Sequence, residues 1–183
     1  MGYQDAIEEA WLELEKNSSE NNHSVRLLAD EYSVDRQARR ILSLSCNVPA
    51  KEYLTILILH YLARQLRGLP KPTGEWLDFR QLDGGQGYYP AFRQRVFKPI
   101  VKKYRSNPEA LFDLTRRCKA QRSDLADAAV IVEVFDGVPF LIELWRADEE
   151  FGPEANVLFD KSIKEIFCTE DIVVLSEFVA HHI

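Results

Sequence analysis

Apolar residues recur at helical spacing from the start of the chain. Ile7, Trp11 and Leu14 fall at i, i+4 and i+7 with Ala10 beside them, which predicts an amphipathic helix over residues 3–16. The strongest helical pattern covers residues 50–67. Its wide apolar arc runs through Leu54, Leu57, Ile58 and Leu62, a narrow seam holds Tyr53, His60, Arg64 and Arg67, and Gly68 closes it. Asn107-Pro108-Glu109 opens a further helix to about Cys118, and Thr169 caps a last one, with Glu170 and Asp171 in its first turn. A short helix is expected where Val25, Leu28 and Ala29 share a face, and another over residues 161–167.

Period-two alternation marks the strands. In Ala128–Phe135, Val130, Val132 and Val134 point one way and Ile131 and Phe135 the other. Asp136-Gly137 then predicts a hairpin turn into residues 139–146. Apolar residues on both faces make this pair central in its sheet. Residues 37–46 read as another strand and 76–79 as a candidate. Residues 119–127 and the acidic stretch 147–156 read as loops. The order of elements gives an α+β fold, with a small, mostly antiparallel sheet whose central hairpin packs against several helices. The length of 183 residues fits a single globular domain over 1–183.

Composition narrows the function classes. No apolar run approaches the about 18 residues of a membrane span. The formal charge of −6 argues against a nonspecific nucleic-acid binder. The acidic, leaderless start and the isolated Cys46, Cys118 and Cys168, with no C-x-x-C spacing, point to a cytoplasmic protein with free, mostly buried thiols.

Candidate chemistry centres on residues 75–105. Trp76 and Phe79 lead into Gly84, Gly85 and Gly87, then Tyr88 and Tyr89, then a basic helix expected to begin at Pro90. Free N–H groups at a helix start, a glycine loop and aromatic walls suit an anion or cofactor. The glycines match neither a P-loop nor a dinucleotide fingerprint, so no particular cofactor is implied. On a helical wheel Arg93 falls among Val96, Ile100 and Tyr104, where a guanidinium needs a carboxylate or a bound anion. Pro99 should kink this helix. His60, beside Arg64, is a candidate acid/base or anion ligand. Trp145 is a candidate wall, and the loop aromatics Trp145 and Phe151 are expected to fold back on the body.

The segments MGYQDAIEEAWLEL, WLDFRQLDGGQGYYPAFRQR, LWRADEEFGPEANVLFD and TEDIVVL resemble domain-of-unknown-function family 3786. The resemblance implies a home in anaerobic bacteria and archaea. It supplies no activity and no catalytic residues. Some members carry a cysteine-rich, iron–sulfur-type segment, which this sequence lacks.

The leading expectation is a binder of a small anionic ligand or cofactor at Gly84, Gly85, Gly87, Tyr88, Tyr89, Arg93, His60, Arg64 and Trp145. The alternatives are a protein-interaction module that meets an acidic partner through the basic helix face, and a divalent-metal hydrolase or transferase. The last would use Asp148, Glu149, Glu150, Glu154 and Asp160 as ligands and His60 as base.

Overall fold

The computed structural model describes residues 2–183. Helix α1 (Tyr3–Asn17) buries Ala10, Trp11 and Leu14 and packs against α2 (Glu52–Arg67), both at the positions their periodicity dictates. Between them run β1 (Asn22–Leu27), β2 (Asp30–Asp35) and β3 (Arg40–Ser43), an antiparallel meander. The helix expected around Val25 is therefore corrected to a hairpin. Val25 and Leu27 alternate with exposed or half-buried neighbours, while Leu28 and Ala29 form its two-residue turn. Leu28 takes a positive φ of 53° there, a conformation its side chain does not advertise in sequence.

Strands β4 (Trp76–Asp78), β5 (Ala120–Ser123), β6 (Ala128–Phe135), β7 (Val138–Trp145) and β8 (Glu154–Asp160) complete an open antiparallel sheet in the order β3-β2-β1-β6-β7-β8-β4, with β5 also paired to β6. The β6–β7 hairpin is central, as its two apolar faces require. The sheet is larger than expected, because β5 and the first residues of β8 replace predicted loop. Arg26 fastens the meander to the hairpin: its guanidinium donates to Asp136 Oδ1 at 2.8 and 3.1 Å and to the carbonyls of Leu28 and Glu133. From the helical layer, Tyr61 stacks on Phe135 at 4.4 Å and donates its hydroxyl to the Asp136 carbonyl.

The basic helix starts earlier than Pro90. Helix α3 (Gly85–Phe92) begins at the glycine cluster, with Gly84 at φ 73° as its N-cap. A Cβ on Gly85 would stand 2.0 Å from the Phe79 carbonyl oxygen, so this position tolerates only glycine without movement. Pro90 lies inside α3. A wide π turn, Arg93–Phe97, follows, and α4 (Lys98–Tyr104) carries Pro99 in its first turn. Pro99 has no N–H to return to the preceding turn, and Lys98 N–H reaches back to the Arg93 carbonyl instead. The extra residue in that turn breaks the 3.6-residue wheel. Phe92, Val96, Phe97, Ile100 and Tyr104 stay buried, but the Arg93 side chain swings out to 54% exposure. Its expected burial is corrected accordingly.

The segment after Asn107 is mostly 3-10 helix (Pro108–Asp113) with a short α5 (Leu114–Arg117). Helix α6 (Thr169–His182) closes the layer. Cys168 is its N-cap rather than Thr169, and no side chain caps it.

Candidate functional site

The α3–α4 helix has a groove on either flank. The larger, of ≈ 820 Å³, runs between the start of α3 and the outer side of α6. Gly84 and Tyr88 form one wall, Tyr53 and Tyr3 the end, and Val173, Val174 and Phe178 the other wall. Arg95 lies on the same face of the helix as Tyr88, two turns on. Its guanidinium sits 5.8 Å from the Tyr88 ring centre and donates to Glu177 Oε1 at 3.1 Å. The cation is thus held by α6 and stacked over an aromatic wall.

Besides Arg95, the charged groups of this groove are carboxylates. Asp83 precedes the α3 N-terminus and Glu170 stands in the first turn of α6, both where the helix dipole favours a negative charge. His181 and His182 place Nδ1 2.7 Å from the carbonyls of Glu177 and Phe178. A carbonyl only accepts, so each Nδ1 carries the hydrogen, and each Nε2 is left as an acceptor in the neutral ring. The His182 ring stacks on Phe178 at 3.9 Å.

Of the residues expected to converge, only Gly84 and Tyr88 meet in this groove. Gly85 is buried against Phe79, and Gly87 is exposed. Tyr89 turns away, edge-on to Phe97 at 6.2 Å and under the Arg80 guanidinium at 4.7 Å. Arg93 lines the second groove, on the opposite flank of the helix. His60 joins Asp171 (Nδ1 to Oδ2, 2.8 Å), tying α2 to α6, and Arg64 donates to the carbonyls of Glu165 and Gly68. Trp145 is at the end of β7, opposite Glu154 and exposed. Phe151, expected to fold back, is 68% exposed.

Sequence reasoning missed Arg95, Tyr53, Glu177 and Phe178. The i, i+7 spacing of Tyr88 and Arg95 was legible, but their partners arrive only when α6 packs alongside.

Two of the five carboxylates of the metal reading are engaged by backbone N–H groups. Asp148 Oδ1 accepts from the N–H groups of Glu150 and Phe151 at 2.8 and 2.7 Å, closing its own turn. Asp160 is buried and accepts from the N–H groups of Thr73, Gly74 and Ser162. Burial pushes its carboxyl up, but these bonds outweigh that and hold it below the usual range. Among the described residues, no group of three or more His, Cys, Asp or Glu could hold a metal ion. Of the three free cysteines, Cys118 is half-buried, and burial raises its thiol. Cys46 and Cys168 are exposed rather than buried.

Among the described residues, no helix is long and apolar enough to cross a membrane. The model of the family Domain of unknown function (DUF3786) matches residues 4–182, so the chain belongs to that family. No curated protein and no solved structure matches it.

Proposed function

We propose that this member of a family of unknown function binds a small, flat organic molecule in the groove between α3 and α6. The observation that carries the reading is the Tyr88–Arg95–Glu177 arrangement on the wall of an aromatic-lined groove of ≈ 820 Å³, large enough for a drug-sized ligand. A planar ring fits against Tyr88, Tyr53 and Phe178, where stacking supplies affinity beyond simple burial.

The lining changes the charge expected of that ligand. Arg95 already has a carboxylate partner, and Asp83 and Glu170 add further acceptors. Such a wall favours an aromatic amine or a donor-bearing heterocycle, neutral or positive, over the anion anticipated from the sequence. The unpaired cations sit instead on the opposite flank, around Arg93.

A thermal-shift screen tests this. The panel is aromatic amines and heterocycles, with aromatic carboxylates as the contrasting set. A ligand at 100 times its Kd stabilises by about 2.7 kcal/mol. The shift is expected from the first set and should be lost in Tyr88→Ala and in Val174→Trp, which fills the groove. No shift from any compound, or an equal shift in Val174→Trp, would sink the assignment.

A further inference from the structure

The second groove, of ≈ 690 Å³, has an apolar floor of Phe97, Val101 and Ala155 and a rim of Arg93, Lys98, Lys102 and Arg105. All four cations are exposed. Arg93 has one carboxylate within reach, Glu154 at 3.8 Å, and among the described residues Lys98, Lys102 and Arg105 make no ion pair. A cluster of four cations on a chain of net charge −6 is a local inversion of the molecule's field.

The opposite charge stands next to it. The loop between β7 and β8 exposes Asp148, Glu149 and Glu150, and the latter two form no ion pair among the described residues. The loop has a fixed shape. Asp148 accepts from the N–H groups of Glu150 and Phe151, and its own N–H donates to the Phe151 carbonyl at 3.0 Å. That turn holds Phe151 outward, its ring exposed to solvent. Two residues later the chain enters Pro153–Glu154–Ala155, a wall of the basic groove. An acidic knob carrying an apolar tip and a basic groove with an apolar floor are therefore neighbours along the chain.

We propose that two copies of this chain pair about a two-fold axis, the acidic loop of each seated in the basic groove of the other. A two-fold rotation that brings one loop to a groove necessarily brings the second loop to the second groove. Three carboxylates then face the unpaired Lys98, Lys102 and Arg105, and Phe151 covers the floor formed by Phe97 and Val101. The complementarity steers the encounter and fixes the register, while the buried ring supplies apolar contact. This surface is separate from the Tyr88 groove, so either assignment can fail alone.

Sedimentation equilibrium tests the pairing with two charge-reversed proteins, Lys98→Glu/Lys102→Glu in the groove and Glu149→Lys/Glu150→Lys in the loop. The wild type is expected to be dimeric at low salt and to dissociate towards monomer in about 1 M salt, where screening acts over roughly 3 Å. Each variant alone brings like charges together in both contacts and is expected to be monomeric. Mixed in equal amounts, the two match in both contacts and should recover the dimer mass. All four positions are exposed, and circular dichroism checks that both variants fold. A wild type that stays monomeric at low salt overturns the proposal, as does a variant that stays dimeric or a mixture of folded variants that stays monomeric. A monomeric wild type that instead captures a synthetic acidic peptide would assign the groove to another partner.

Discussion

The two flanks of the α3–α4 helix are built from the same kinds of side chain and differ in how their charges are settled. On the Tyr88 flank, Arg95 is engaged by Glu177, and the nearby carboxylates sit at helix N-termini that favour them. On the Arg93 flank, Arg93 alone of four cations has a carboxylate within reach, Glu154 at 3.8 Å, and the other three make no ion pair among the described residues. A groove with its charges settled internally selects by shape and stacking. A groove with charges left over selects by charge. The π turn Arg93–Phe97 lets one helix carry both surfaces, because the extra residue moves Arg93 off the line that a regular helix would give it.

The largest effect is expected where the Tyr88 flank is anchored. Gly85→Ala drives a Cβ into the Phe79 carbonyl and must push the start of α3 away. A loss of about 3 kcal/mol in urea unfolding is expected, the upper range for overpacking a tight site. If Gly85→Ala folds with wild-type stability, the α3 start is not the fixed wall described.

Glu177→Gln sharpens the comparison by making one flank resemble the other. It removes an ion pair at the surface, so stability in the same unfolding experiment should hardly change. It also leaves Arg95 without its carboxylate. The variant should therefore begin to give thermal shifts with aromatic carboxylates, and an unchanged ligand preference would mean that Arg95 does not face the ligand.

The smallest effect concerns buried carboxylates in the sheet, where the same contrast recurs. Asp160 has several N–H donors, whereas Glu143, also buried, has among the described residues only Asn156 Nδ2 at 3.4 Å. Burial pushes the Glu143 carboxyl up, only partly countered by Asn156. The folded state thus binds this proton more tightly than the unfolded chain. Its contribution to stability is full below the unfolded carboxyl value of about 4.3 and is lost as pH rises through the higher folded value. Glu143→Gln should remove that part of the decline, so the gap in melting temperature should move in favour of the variant as pH rises from 4 to 7. A gap independent of pH would contradict this. Asp160 has the opposite sign, its contribution present above the unfolded value and lost as pH falls through the lower folded one.

How much of this was legible follows from where the local pattern decides. Helices α1, α2 and α6 were readable from their apolar periodicity, and the β6–β7 hairpin from two apolar runs joined by Asp136-Gly137. The β1–β2 hairpin was not: Val25, Leu28 and Ala29 mimic helical spacing, and a turn at Leu28 with positive φ carries no glycine or asparagine signal. Strand β8 was hidden by acidic residues at its root. Arg93 was misplaced because a wheel assumes a regular turn, and Pro99 announced a disturbance without giving its form. At the candidate site, Gly84 and Tyr88 were found from local chemistry. Tyr53, Glu177 and Phe178 come from segments far away in sequence, and only the packing of α2 and α6 brings them in.

The most direct test of a helix with two differently employed flanks is an amide-resolved NMR titration with the aromatic amine that gives the largest thermal shift. The account predicts that signals from residues 83–88 and 170–182 move, while Lys98, Lys102 and Glu154 stay in place. Perturbations centred on Lys98, Lys102 and Glu154, with the Tyr88 flank silent, would contradict it.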